Sequence, residues 1–174
     1  MRLIAVAKLA LAEEADHEGE MAKQDRAEEG MPRLEQQLCF AVYQLGHAFT
    51  RAYRPILARL GLTYPQYLVM LVLWERDGLT VKELGEKLML DSGTLTPLLK
   101  RLDAAGIIRR ERDARDERQV RLHLTDKGEA MREQGRCVQE SIGQALGATA
   151  RDAARLRDQL DLVRDALLTA TQDS

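Results

Sequence analysis

A cysteine and a tyrosine four positions apart are the residues in this sequence best suited to chemistry. They lie in the stretch EQQLCFAVY, which runs from Glu35 to Tyr43 and contains Cys39. Residues i and i+4 share one face of a helix, so the Cys39 thiol and the Tyr43 hydroxyl can face the same space. A thiolate near the positive end of a helix is stabilised and can attack a peroxide. A small buried apolar residue would fit the same position, and local sequence alone favours that simpler role.

The composition predicts one helical globular domain in a reducing compartment. Of the 174 residues, 45% are hydrophobic and 31% are charged, which is typical of a soluble helical protein. The only other cysteine is Cys137, far along the chain, so we expect no disulfide framework and a cytoplasmic location. No apolar run approaches the ~18 residues that span a bilayer. The N-terminal run MRLIAVAKLALAEE is interrupted by Lys8, which leaves it too short for a secretion signal.

The first 30 residues differ in charge from the rest of the chain. They contain four Lys or Arg against eight Asp or Glu, a net charge of −4, whereas the whole chain carries only −2. Within them, the stretch EEADHEGEMAKQDRAEEG contains almost nothing that could be buried. We therefore expect residues 1–30 to form a disordered or loosely helical extension.

Helical periodicity begins after this extension. Apolar residues spaced three and four apart predict a first helix that begins near Leu34 and is kinked or ended by Pro55. Capping boxes in TYPQ, which begins at Thr63, and in TVKE, which begins at Thr80, predict the starts of two further helices. The first of these two is apolar nearly all round, so we expect it to be buried.

A helix with a leucine stripe and a hairpin follow. The stretch LDSGTLTPLLKRLDAAG predicts a turn and then a helix that ends at Gly106, with leucines on its buried side: Leu95, Leu98, Leu99 and Leu102. After Gly106 the period changes to that of strands, and we expect a two-stranded hairpin, Ile107–Arg112 with Gln119–Leu124. Thr125 then caps a predicted long helix to about Leu146, and the stretch ATARD begins a last one.

Two helices followed by a basic hairpin predict a winged helix-turn-helix, which points to DNA. With the leucines inward, the second helix presents hydroxyls and cations outward: Thr94, Thr96, Lys100 and Arg101. Such hydroxyls can bond bases or phosphates, and such cations neutralise the DNA backbone. Residues 96–121 contain eight cations and five acids, an excess of +3 in a chain that is negative overall. Arg115 and Arg118 are candidates for entering the minor groove, and Asp116 is expected to fix the direction of an arginine.

The charged stretch RRERDARDERQVR also has a simpler interpretation. As an isolated charge run it would favour a solvated loop that pairs with itself. The helix pair before it shifts the balance to DNA binding. A purely structural helical scaffold would have no salt-dependent affinity for DNA.

These motifs carry a family resemblance. The stretch LTVKELGEKLMLDSGTLTPLLKRLDAAGIIRRERDARDERQVRLHLTDKG resembles the winged-helix core of MarR-type regulators. LCFAVY, AYRPIL and LTYPQYLVMLVLWE are similar to the organic hydroperoxide resistance regulators, the OhrR subgroup. The resemblance is dense over about residues 34–130 and follows the last helices in outline. It implies a homodimeric repressor that binds a pseudo-palindromic double-stranded DNA operator and releases it when an organic hydroperoxide oxidises one cysteine.

The resemblance also implies roles for individual residues. The reactive cysteine falls on Cys39, and the tyrosines around it fall on Tyr43, Tyr53 and Tyr64. The recognition-helix contacts fall on Ser92, Thr94 and Thr96, and the wing arginine falls on Arg118. In members with two cysteines, a second one closes a disulfide between subunits. Cys137 is the candidate resolving residue, although the family position lies nearer Gln144; if Cys137 is passive, a low-molecular-weight thiol would cap the oxidised sulfur.

The spacing of Cys39 and Tyr53 predicts that such a sensor needs two chains. Fourteen residues along a helix is about 21 Å, too far for the two side chains to touch within one chain. An antiparallel partner helix is the simplest geometry that brings them together. A dimer of this kind agrees with a two-fold reader of two half-sites about one DNA turn apart.

Other functions fit the sequence less well. The three histidines, His17, His47 and His123, lack the spacing of metal ligands, and there is no phosphate loop or Ser/His/Asp order. We therefore expect no enzyme, no cofactor and no metal. A thiol peroxidase would also need an activated cysteine but has no use for a basic wing. The nearer alternative is a repressor of the same fold released by a small phenolic or lipophilic ligand, in which Cys39 is incidental.

The predicted architecture is mainly α-helical with a small β-hairpin wing. It is a winged helix-turn-helix whose N- and C-terminal helices form a dimerisation region. The predicted segments are the extension over residues 1–30, a sensor and dimerisation helix over 31–62, the DNA-binding region over 63–125, and C-terminal dimerisation helices over 126–174.

Overall fold

Helices dominate the part of the chain that this computed structural model describes, residues 33–114 and 116–172. In chain order the elements are a 3-10 helix at Leu34–Gln36, α1 at Leu38–Leu57, a 3-10 helix at Ala58–Leu60, α2 at Tyr64–Glu75, α3 at Val81–Leu88, α4 at Ser92–Ala104, β1 at Ile108–Arg112, β2 at Val120–Leu124, α5 at Asp126–Ala130, α6 at Arg132–Leu146 and α7 at Ala150–Gln172. The predicted extension over residues 1–30 lies outside the described residues.

Helix α1 begins later than the sequence predicts. A short 3-10 turn covers Leu34–Gln36, and Gln37 is extended, with φ −82° and ψ 125°. The α-helix therefore starts at Leu38, which places Cys39 in its first turn. The helix continues two residues past Pro55 before it gives way to the second 3-10 turn.

Helix α2 forms the centre of the core, as its apolar sequence predicts. Tyr67, Val69, Met70 and Leu73 are fully buried. At its start, Gln66 Oε1 accepts the Thr63 backbone N–H at 2.9 Å, which is one half of the predicted capping box. The next capping box, at the start of α3, is complete in both directions.

Two aromatic side chains of α2 hydrogen-bond the later helices. The Tyr67 hydroxyl donates to the Gly135 carbonyl at 2.9 Å, and Trp74 Nε1 donates to the Gly128 carbonyl at 2.9 Å. A side chain would clash at both glycines, with Trp74 at Gly135 and with the Ile107 backbone at Gly128. A Cβ on Gly135 would lie 2.5 Å from Trp74 Cη2, and a Cβ on Gly128 would lie 3.2 Å from the Ile107 carbonyl carbon. The side chains of α2 thus pack directly against the backbones of α5 and α6.

The predicted wing is confirmed to within one residue at each end. Strands β1 and β2 pair antiparallel, with Ile108 opposite Leu124 and Arg112 opposite Val120. A bridge between Thr80 and Arg121 extends the pairing to the segment just before α3. The wing is therefore tied to the helix-turn-helix at its root.

The predicted long helix after Thr125 is divided into two. Thr125 caps α5 by accepting the Gly128 N–H at 3.1 Å, as expected. The helix is then interrupted at Met131, a buried residue whose backbone keeps right-handed dihedrals, φ −77° and ψ −11°. Thr149 and Asp152 cap the start of α7, which confirms the last predicted helix.

The described chain divides into two compact units. One is Leu38–Glu140, and the other comprises the described parts of Met1–Gln37 and Ser141–Ser174. Among the described helices, none alone is long and apolar enough to cross a membrane. One bent pair, Leu38–Leu60 with Tyr64–Glu75, meets the length and composition only when taken together across a 69° bend.

Candidate nucleic-acid interface and cysteine site

The start of helix α4 is held by its own side chains. The cap is Asp91, whose carboxylate accepts the Thr94 backbone N–H at 2.9 Å and the Thr94 hydroxyl at 2.8 Å. These hydrogen bonds, the backbone one above all, hold the pKa of Asp91 below its usual range. The Thr96 hydroxyl donates to the Ser92 carbonyl at 2.6 Å. Both threonine hydroxyls therefore use their proton within the helix and keep their oxygens as acceptors, which suits amino groups on base edges.

The exposed side of α4 carries the residues that the sequence predicts for DNA. Ser92, Thr94, Lys100 and Arg101 are exposed and Thr96 is half-buried, while the leucine side is buried, with Leu98 only half so. The helix thus presents short hydroxyls at its N-terminal end and cations one to two turns later. Such a helix can place its first turn in a major groove and its cations near phosphates.

The tip of the wing is organised by Asp116. Its carboxylate accepts the Arg118 backbone N–H at 3.1 Å and the Gln119 side-chain amide at 3.1 Å. Asp116 therefore shapes the backbone that carries Arg118, whose side chain is exposed. Arg115, the other predicted wing contact, lies outside the described residues.

The root of the wing contains an ion pair that sequence reasoning missed. Arg121, grouped by the sequence with the cations of the basic hairpin, pairs through Nε with Asp113, a carboxylate that is only 6% exposed. The Arg121 guanidinium also donates to the Gly78 carbonyl at 2.7 Å. The signal was present in the hairpin register: Asp113 follows β1 opposite Gln119, which makes Arg121 its diagonal neighbour on β2. Arg121 is consequently a residue that positions the wing.

The predicted reactive cysteine lies on an exposed apolar surface. Cys39 is exposed in the first turn of α1, and within the described ranges no group hydrogen-bonds its sulfur. Tyr43 follows one turn later; it is 62% exposed, and its ring contacts His47 edge-to-face at 4.3 Å between ring centroids. The neighbouring aliphatic side chains Leu38 and Val42 are also exposed. Over the first half of α1, large apolar side chains are therefore exposed among the residues that the structure describes.

The other two predicted tyrosines come together elsewhere in the same unit. The Tyr53 and Tyr64 rings lie 4.7 Å apart between centroids, and Tyr67 packs against Tyr53 at 5.8 Å. Burial raises the pKa of all three phenols, and that of Tyr67 to about 12, so they remain protonated donors at neutral pH. Among the residues described, the hydroxyls of Tyr53 and Tyr64 have no hydrogen-bond acceptor.

Neither Cys137 nor the two described histidines, His47 and His123, belong to a group that could hold a metal ion. Cys137 lies exposed on α6, beside Arg136. In the part of the chain that the structure describes, no group of three or more His, Cys, Asp or Glu could hold a metal ion.

The helix pair, its exposed polar face and the hairpin define a winged helix-turn-helix DNA-binding protein. A family model described as the transcriptional regulator SarA/Rot matches residues 51–134. The chain is 57% identical over 134 residues to the HTH-type transcriptional regulator TtmR of Methylorubrum extorquens (strain PA1), covering 77% of this chain and 69% of TtmR. It is 42% identical over 135 residues to the organic hydroperoxide resistance transcriptional regulator of Bacillus subtilis (strain 168), covering 78% of this chain and 92% of that protein.

The chain belongs to the MarR/SarA family of winged helix-turn-helix transcriptional regulators. This confirms the predicted class, the mainly helical fold with a hairpin wing, and the expectation of a regulator in place of an enzyme. A similar solved structure is reduced AbfR of Staphylococcus epidermidis bound to DNA, with a TM-score of 0.64 and 38% identity, covering 78% of this chain and 96% of that one. Other AbfR structures show a disulfide-formed state and an overoxidised state bound to DNA.

Proposed function

We propose that this regulator is a homodimeric repressor whose operator binding is controlled by oxidation of Cys39 by organic hydroperoxides. The observation that carries the proposal is the placement of Cys39 and Tyr53 on one continuous helix. Fourteen residues of α1 separate them, about 21 Å. The cysteine is exposed at one end of that helix, and tyrosine hydroxyls without an acceptor among the described residues lie at the other. A second copy of the chain, with its α1 antiparallel, would bring Cys39 to Tyr53 and Tyr64 of its partner.

Exposed apolar surface supports the dimer. Helix α1 exposes a row of large hydrophobic side chains around Cys39: Leu38, Val42, Tyr43 and Leu45. Helix α7, in the other unit, independently exposes another row: Leu156, Leu160, Leu162, Val163, Leu167 and Leu168. Contiguous apolar surface of this kind marks an interaction site, and a two-fold homodimer is the commonest way to cover it.

The same dimer would supply the symmetry for reading DNA. Two copies of α4 related by a two-fold axis read two half-sites about one helical turn apart, which is why the operator is expected to be pseudo-palindromic. Arg118 of each wing would reach the neighbouring minor groove, and Lys100 and Arg101 would neutralise phosphates. The structure of reduced AbfR bound to DNA supports DNA as the partner of this chain.

The proposed chemistry needs only the thiolate, the peroxide and one proton. The Cys39 sulfur attacks one oxygen of the hydroperoxide, an S–O bond forms, and the O–O bond breaks. The alkoxide leaves and takes a proton to become the alcohol, so the sulfur is oxidised to a sulfenic acid and the peroxide is reduced. A second thiol, from Cys137 or from a low-molecular-weight thiol, then displaces water to form a disulfide.

Oxidation would reach the DNA through the dimer interface. A sulfenic oxygen adds volume and a polar group to the packed contact between two α1 helices, and the tyrosine hydroxyls that face the sulfur would have to move to accommodate it. Packed interfaces respond to such a change by shifting helices, which alters the distance between the two α4 helices. The operator would then be released because both half-sites can no longer be read together.

Operator binding by Cys39→Ser tests the proposal. The parent is expected to lose operator affinity after treatment with cumene hydroperoxide, while Cys39→Ser retains it. Cys137→Ser is the matched control, because it removes the other thiol and leaves the first oxidation step intact. Release of Cys39→Ser by the peroxide would contradict the proposal.

A second candidate function rests on the tyrosine cluster itself. The rings of this cluster pack together: Tyr53, Tyr64 and Tyr67. The Tyr53 and Tyr64 hydroxyls have no acceptor among the described residues and could donate to a ligand oxygen. A small phenolic ligand could therefore also bind there. In that case Cys39 is incidental. Release of both the parent and Cys39→Ser by such a ligand, with no effect of peroxide on either, would favour this alternative.

A further inference from the structure

The turn between α3 and α4 contains a residue in an unusual backbone conformation. Met89 has φ 53° and ψ 41°, and it is the only non-glycine residue with positive φ among those described. A side chain in this left-handed region crowds its own backbone, so glycine usually occupies such a position at the end of a helix. Helix-turn-helix turns often contain glycine for this reason.

The turn does not need a methionine to form. The Leu90 N–H donates to the Gly85 carbonyl at 3.0 Å, which closes the end of α3 through backbone groups. A Cβ on Gly85 would lie 2.8 Å from the Leu90 carbonyl oxygen, so the close approach of the turn depends on glycine at position 85. Leu88 and Leu90, on either side of Met89, pack against the core. The Met89 side chain points away from that core and is 59% exposed.

Met89 lies beside the DNA-facing end of the recognition helix. It precedes the cap of α4, Asp91, by two residues, and with Lys82 and Ser92 it lines an open groove between α3 and the first turn of α4. An exposed apolar side chain at this place has no partner in the core. Strained residues that persist in a fold are concentrated where they serve function.

We propose that Met89 contacts apolar atoms of DNA, either a thymine methyl or deoxyribose carbons at the edge of the major groove. The inference rests on the DNA-binding part of the proposed function. Methionine suits this contact because its unbranched thioether adapts to an irregular surface. Thymine is the base that presents a methyl group in the major groove. The strained conformation of Met89 is thus retained for the contact that its side chain makes.

Substitution by glycine separates the fold from the contact. Met89→Gly relieves the left-handed strain, and we expect its melting temperature to rise by about 2–4 °C. Its affinity for DNA is expected to fall roughly tenfold per half-site, because a side chain more than half exposed no longer becomes buried. Met89→Asn, which tolerates left-handed dihedrals but is polar, is expected to behave like glycine. Met89→Leu, which keeps the apolar bulk, is expected to bind within about threefold of the parent.

The binding assay uses duplexes that the reduced parent selects from a random 30-base-pair pool. Affinity is measured at several salt concentrations for the parent, the Met89 variants and Arg118→Gln. Loss of an apolar contact leaves the slope of log affinity against log salt unchanged, whereas Arg118→Gln is expected to reduce it by about one per protomer. Replacing each thymine by deoxyuridine removes its methyl group and identifies the atoms that Met89 contacts. If the affinity falls at one position per half-site in the parent but not in Met89→Gly, Met89 contacts that thymine methyl. If each replacement changes the affinity of both proteins equally, while Met89→Gly still binds more weakly than the parent, Met89 contacts deoxyribose carbons.

Two results would overturn the inference. One is an operator affinity of Met89→Gly or Met89→Asn equal to that of the parent. The other is a weaker affinity of these variants together with a shallower dependence of that affinity on salt. Failure of the proposed function is distinguishable, because the parent itself would then show no salt-dependent affinity for any selected duplex.

Discussion

A single methyl group added at Gly135 tests how α6 is attached to the core. The Gly135 carbonyl accepts the Tyr67 hydroxyl at 2.9 Å, and the Gly135 Cα faces the ring of Trp74. A Cβ built there lies 2.5 Å from Trp74 Cη2 and closer still to Cζ3. The indole is rigid and its Nε1 is held by the Gly128 carbonyl at 2.9 Å, so it cannot move aside without breaking that hydrogen bond.

The net effect of Gly135→Ala is the difference between two opposed terms. Alanine in place of glycine within a helix favours folding by about 0.5–1 kcal/mol. Overpacking of a filled core costs about 1–3 kcal/mol, and the upper part of that range applies to contact with a rigid ring. We therefore expect a loss of about 2 kcal/mol, which lowers the melting temperature by about 4–8 °C for a chain of this length.

Thermal and urea unfolding at one protein concentration measure this effect, with the fluorescence of Trp74, the only tryptophan in the chain, as a local probe. Gly143→Ala is the matched control on the same helix, because a Cβ at that position meets nothing within 4 Å. The control is expected to be as stable as the parent or more stable. A Gly135→Ala protein with the parent's stability and Trp74 emission would refute the described packing of α6 against α2.

Three further predictions concern the cap of α4, the buried phenol and the wing. Backbone hydrogen bonding lowers the pKa of Asp91, so the ionised carboxylate stabilises the fold at neutral pH. This stabilisation should be lost as the pH falls below about 4. Asp91→Asn cannot be protonated and should not lose that part of the stability in acid melting curves. Burial raises the pKa of Tyr67 from 10.0 to about 12, so its contribution to stability should be lost between those pH values. Tyr67→Phe should therefore show a smaller alkaline decline than the parent, the remainder coming from the other buried phenols, Tyr53 and Tyr64. Asp113→Ala removes the carboxylate partner of Arg121, the residue that positions the wing, and should therefore weaken operator binding. The free energy of unfolding should fall by only about 1–2 kcal/mol, because Arg121 is partly exposed.

Each of these predictions has a contradicting result. Acid melting curves of the parent and Asp91→Asn that run parallel down to pH 3 would show that the carboxylate does not stabilise α4 as described. Parallel alkaline curves for the parent and Tyr67→Phe would contradict the burial of that phenol. Operator affinity of Asp113→Ala equal to that of the parent would show that the ion pair does not position the wing.

Local signals in the sequence were sufficient for the helix-turn-helix and the wing. Thr80 and Glu83 satisfy each other's neighbouring backbone groups, so the start of α3 depends on residues three apart and can be predicted from them. The change of apolar period after Gly106 likewise predicted both strands, because alternation is a property of the strand itself. The exposed face of α4 followed from the position of its leucines.

Features that depend on distant contacts were not predictable in this way. Arg121 pairs with Asp113 and also donates to the Gly78 carbonyl, which lies 43 residues earlier in the chain. The interruption of the C-terminal helix at Met131 accompanies burial of that side chain in the core. The start of α1 at Leu38 was missed because Gln37 is extended, although the apolar period runs through it.

The pairing of Cys39 with tyrosines of the other subunit is tested most directly in mixed dimers. One chain carries Cys39→Ser, and the other carries Tyr53→Phe with Tyr64→Phe, so each heterodimer has a single Cys39. Pairing between subunits leaves that cysteine facing both native tyrosines, and we predict that cumene hydroperoxide oxidises it at the parent's rate. A rate about tenfold or more slower, equal to that of the Tyr53→Phe, Tyr64→Phe homodimer, would contradict the account, because the tyrosines would then act on the cysteine of their own chain.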